Sequence, residues 1–130
     1  MTPNPRDAFL RRVLLLDAAT SGLSAIALLA GAEALAPILG LPKSLLLGAG
    51  AVVVPFTALV LWVATREALP RAGAWIVIGL NVLWAADSVL LLFTDWVSPA
   101  ALGTAFVLAQ AAAVAVLAEL EFVGLKRMAA

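Results

Sequence analysis

Four stretches of the chain are apolar almost without interruption. Val13–Ala32 runs for twenty residues with Asp17 as its only charge, and Ser44–Thr65 for twenty-two with none. Ala72–Thr94 runs for twenty-three with Asp87 alone, and Val97–Ala118 for twenty-two with none. A helix needs about 20 apolar residues to cross the hydrocarbon core of a bilayer, so each stretch is long enough. Strands are excluded, because four of them cannot close into a barrel and would leave unpaired edges in lipid. The pattern predicts an all-α membrane protein, a four-transmembrane-helix antiparallel bundle. Its helices span about residues 10–32, 44–66, 72–94 and 97–123, with the whole chain, 1–130, as a single membrane domain.

The connections refine this picture. Glu67–Arg71 and Asp95–Val97 are short, which makes helices 2, 3 and 4 antiparallel neighbours. The link 33–43 is the longest. Pro37, Gly40 and Pro42 punctuate it, yet it is apolar enough to lie partly in the membrane interface. The arginines and small residues around the first stretch imitate a secretory signal. That stretch exceeds the 7–15-residue core of such a signal and is broken by Asp17, so it reads as the first helix.

Basic residues set the expected orientation. Arg6, Arg11, Arg12, Arg66, Arg71, Lys126 and Arg127 fall on one side of the predicted bundle, and only Lys43 on the other. Positive charge marks the cytoplasmic side, so both termini are expected in the cytoplasm and the protein in the cell's inner, cytoplasmic membrane. Trp62, Trp75 and Trp96 lie near helix ends and suit interfacial anchoring. Trp84 lies mid-span and suits packing.

Composition narrows the chemistry. Hydrophobic residues make up 65% of the chain, charged residues 12%, and mean hydropathy is +1.12, whereas a soluble domain carries about 25% charge. With a formal net charge of zero and no basic-aromatic interleaving, a nucleic-acid partner is not expected. Cys, His and Tyr are absent, which removes disulfides, thiol nucleophiles and the usual zinc and haem ligands. No phosphate loop, nucleophile elbow or metal-spaced acid pair occurs. The chain is therefore not expected to be an enzyme or to need a cofactor or metal; membrane lipids are its expected surroundings.

The polar residues that remain are the candidate site. Asp17, Thr20, Ser21 and Ser24 share one face of the first helix at spacings of three, four and seven. Facing lipid, the acid alone would cost about 2.5–3.5 kcal/mol, so the stripe should face protein or water. Counting from each basic end, Asn81, Thr57, Thr20 and Ser21 fall in a layer roughly 12–15 Å deep. Asp87, Ser88 and Gln110 form a second layer beyond it, near Gly48 and Gly50 of the second helix. Asp17 shares an inner rim with Glu119 and Glu121; it is positioned to pair with Arg11 or Arg12, or with a basic residue of a neighbouring helix, and the two glutamates read as surface charge. Asp87 has no Lys or Arg at its depth, and intramembrane acids are functional suspects. Asp87, with Asn81 and Gln110 as polar partners and Asp17 as an inner relay, is thus the expected site for a proton, small cation or amphipathic solute. Pro55 should kink the second helix. Ala105, Ala109 and Ala113 form a small-residue ridge on the fourth, suited to packing against another copy or a partner membrane protein. That ridge supports an alternative role, a structural or accessory subunit without transport.

In size, in its four spans and in the inward-facing termini expected for it, the chain resembles small four-helix integral membrane proteins of bacteria. The resemblance implies a bundle fold and assigns no site residues.

Overall fold

The structure is a computed structural model that describes residues 7–129. Four helices follow in chain order: α1 (Ala8–Leu39), α2 (Lys43–Thr65), α3 (Arg71–Leu91) and α4 (Ala101–Ala129). Among the described residues there is no strand. All four helices are long and apolar enough to cross a membrane. Their outward faces carry exposed Leu23, Ile26, Val54, Trp75, Ile76 and Leu108, a surface suited to lipid and not to water. Arg6 lies outside the described residues.

Two boundaries differ from the sequence reading. α1 does not stop at residue 32 but continues through Pro37 to Leu39, so most of the expected interfacial link is helix. Gly40 ends it with a left-handed backbone, φ 68°, and its N–H donates to the Ala36 carbonyl oxygen. Helix α4 starts only at Ala101. The N–H of Ala100 donates to the carbonyl of Leu39 at 3.0 Å, which ties the end of α1 to the start of α4. Gly103 lies so close to that carbonyl that no side chain fits between them. At the opposite end Gly124 of α4 presses on Leu10 of α1, with 3.0 Å separating the site of a Cβ from the Leu10 Cα. Glycines thus hold α1 and α4 together at both ends.

The remaining pairs are unequal. α1 packs along α2 and α3 along α4, whereas α2 and α3 barely meet. They touch at the basic end, where Gly73 lies against Val63. The core explains this. A cluster at the basic end draws on every helix, through Leu10, Leu14, Val60, Val63, Val77 and Leu125. The buried residues of the second cluster are Leu28, Ala32, Leu39, Leu41, Leu46 and Val107, and none of them belongs to α3. The bundle is pinned at one end and splayed between α2 and α3 at the other.

Arg11 reinforces the pinned end. Its guanidinium donates to the carbonyl oxygens of Ala64, Arg66 (2.7 Å) and Glu67 (3.3 Å) and pairs with Asp7 at 3.4 Å. It therefore caps the carbonyls left open at the end of α2. Around it, Arg66 stacks on Trp62, Lys126 on Phe122 and Arg127 on Phe9, and Phe122 packs against Trp75. Such aromatic and basic pairing is the composition of a membrane–water interface.

Candidate functional site

Just above the basic-end core, three polar side chains from three helices meet. Asp17 of α1, Asn81 of α3 and Glu121 of α4 are 1%, 3% and 0% exposed. The Asn81 side-chain amide donates to both acids, to Asp17 Oδ2 at 2.8 Å and to Glu121 Oε1 at 2.9 Å. Ser21, one turn along α1, donates to Asp17 Oδ1 at 3.1 Å. The second oxygen of Glu121, Oε2, is buried with no partner. Leu14, Val77 and Leu125 lie one turn nearer the basic end on the same helix faces, and all three are buried. They seal the cluster from that side.

The cluster corrects three expectations. Glu121 is not surface charge: neighbours two apart on a helix point about 200° apart, so with Glu119 exposed Glu121 turns inward. Asp17 does not pair with Arg11 or Arg12. The Arg11 guanidinium is engaged with α2 carbonyls and Asp7, and Asp17 bonds to Asn81 and Ser21. Nor does Asp17 form a rim shallower than Asn81. α1 begins at Ala8, before the arginines from which depth was counted, so the acid sits level with the amide.

Beyond the cluster, the gap between α2 and α3 is an open cleft of about 1610 Å³. Asp17, Thr20, Ser21 and Asn81 lie at its base, and Ser24, Trp84, Asp87, Ser88 and Gln110 line it further out. Comparison of the chain with protein-family models, with curated proteins and with solved structures finds no match. The site must therefore be read from its own chemistry.

Several lining groups are satisfied locally. Thr20 donates to the carbonyl oxygens of Leu16 and Asp17, Ser24 to that of Thr20, and Ser88 to that of Trp84. Gln110 accepts from the indole N–H of Trp84 at 2.9 Å and donates to the Val107 carbonyl oxygen. Trp84 is thus fixed by a polar partner as well as by packing. Asp87, expected deep among polar partners, is exposed on the cleft wall, and Gln110 is engaged with Trp84. The depth read for Asp87 places it near the splayed end, where α2 is too far away to cover it. Among the described residues, no group of three or more acids, His or Cys could hold a metal ion.

Chemically, the cluster is two carboxyl groups sharing one amide, with no cation in hydrogen-bond contact. Buried charge is tolerated only when paired or neutralised. In this pair the second Glu121 oxygen, Oε2, is buried without a hydrogen-bond partner.

Proposed function

We propose that this chain is a proton-coupled carrier in the cytoplasmic membrane, with Asp17, Asn81 and Glu121 as the proton-binding centre and the α2–α3 cleft as the route for its solute. The observation that carries the reading is the orphaned Glu121 Oε2 beside a second buried carboxyl group held by the same amide. Asn81 bonds both acids and so holds their carboxyl groups side by side. Ser21 links the pair to the cleft, because it bonds Asp17 and lines the cleft base. The apolar layer of Leu14, Val77 and Leu125 separates the centre from the basic side, as a carrier accessible from one side at a time requires.

The test is proton flux into liposomes holding a pH-sensitive dye and driven by a potassium diffusion potential. The wild type should acidify the lumen, and Asp17→Asn combined with Glu121→Gln should not, while keeping its hydrogen bonds and fold. Flux in that double variant equal to wild type would overturn the proposal.

An accessory, non-transporting role draws support from one feature. Ala105, Ala109 and Ala113 are exposed along α4 and would let a second helix approach closely. If association through this ridge is the function, Ala109→Trp should abolish cross-linking between copies and leave proton flux, if any, unchanged.

A further inference from the structure

We infer that the α2–α3 cleft binds a lipophilic organic cation, with Asp87 and the face of Trp84 as its outer station. The inference rests on the reading of the cleft as the solute route, and adds the class of solute. The cleft walls are overwhelmingly apolar, and its lining includes two acids, Asp17 and Asp87, and no Lys or Arg. A small hydrated ion gains nothing from such walls, a neutral apolar solute gains nothing from the acids, and an anion is repelled by both. A large cation of low charge density satisfies walls and acids together.

The geometry supplies two further elements. Trp84 lies one turn from Asp87 on α3, half-buried, with its indole N–H held by Gln110 at 2.9 Å. Its orientation is therefore set before any ligand arrives, and a fixed indole is the best aromatic partner for a cation. Asp87 forms no ion pair among the described residues and faces the opening, so its charge is free to meet one. Six residues deeper on α3, about 9 Å by helical rise, Asn81 holds Asp17 at the cleft base. A cation entering past Asp87 thus finds a second acid further in, Asp17, joined to Glu121 through the Asn81 amide. Because α2 and α3 do not close over the cleft, entry from the bilayer is open, and a lipophilic solute is already concentrated there.

The experiment uses two ions of nearly equal size and opposite charge, tetraphenylphosphonium and tetraphenylborate, titrated into the full chain in nanodiscs against empty nanodiscs. The phosphonium should bind saturably and the borate should not. Asp87→Asn should weaken phosphonium binding about tenfold, as loss of one charge contact in a partly wet cleft implies. Asp87→Glu should restore it, and Trp84→Leu should weaken it in the same direction. Equal binding of both ions, or unchanged affinity in Asp87→Asn, would overturn the inference. Failure of the proton-centre reading looks different: Asp17→Asn with Glu121→Gln would keep wild-type proton flux while the Asp87-dependent phosphonium site persisted.

Discussion

Replacing Asn81 with leucine tests whether the buried cluster is held together as described. The side chain is nearly isosteric, so packing changes little and the loss is polar. Two hydrogen bonds disappear, at 2.8 Å to Asp17 and 2.9 Å to Glu121. Between helices in membranes such bonds average about 0.6 kcal/mol, which sets a floor near ~1.2 kcal/mol. Bonds to a charged acceptor are worth about 1.5–3 kcal/mol each, which sets a ceiling near ~6 kcal/mol. Glu121 already has one unpartnered oxygen, and the substitution leaves the other bare as well. We expect a loss of about 3 kcal/mol, between those limits. The decisive comparison is the triple variant Asp17→Leu, Asn81→Leu, Glu121→Leu, which removes donors and acceptors together. Apolar replacement of a whole buried polar group is often neutral or stabilising, so the triple variant should recover most of the loss while abolishing proton flux. Reversible unfolding in mixed micelles, titrated with a denaturing detergent, measures both. A triple variant less stable than Asn81→Leu alone would refute the shared-amide cluster.

Other expectations follow from individual contacts. Arg11→Met should lower stability by about 2 kcal/mol, since it uncaps α2 and leaves Asp7 unpaired. Arg11→Lys should recover less than half, because an ammonium cannot reach several carbonyls with one planar fork. Gly103→Ala should cost about 2 kcal/mol by driving a methyl group into the Leu39 carbonyl, whereas Gly48→Ala, with open space around it, should be harmless; thermal unfolding in detergent compares them. Cysteines placed at Glu67 and Ser98 test orientation in intact cells. An impermeant thiol reagent should label the second and spare the first, and the reverse would overturn the positive-inside assignment.

The spans were legible because lipid imposes a length and a composition on every helix, and no packing detail is needed to see them. Asp17 and Ser21 were legible as partners on one face, since a spacing of four is a local property of a helix. Counting from the basic ends put Asn81 one layer beyond Asp17 and Glu121, whereas its amide bonds both of them. Glu121 was misread because its neighbours Glu119 and Lys126 resemble a solvated helix end; only the rotation of α4 against α1, set by Gly124 on Leu10, decides which glutamate turns inward. The environment of Asp87 was beyond reach for a related reason. Its depth is a matter of counting, but its exposure depends on α2 and α3 failing to pack, and that follows from which helices contribute to the second core. Pro37 suggested a break, yet a proline costs a helix little where the freed carbonyl lies near its end and Gly40 stops it one turn later.

The division of the cluster between helices also has a consequence for biosynthesis. Asp17 belongs to the first hairpin, while Asn81 and Glu121 belong to the second, 64 and 104 residues later in the chain. At about 5–20 residues per second, the ribosome needs roughly 3–13 s to deliver the amide, and longer to deliver the second acid. Once α2 ends at Thr65, the first hairpin is a finished pair of helices whose buried carboxyl group still lacks the amide, and it waits longer still for the second acid. Insertion of α1 and α2 can be complete while assembly is not. The joining of Asp17 to Asn81 therefore waits for α3, and the bond from Asn81 to Glu121 waits for α4; a copy truncated before α3 lacks the amide that Asp17 bonds.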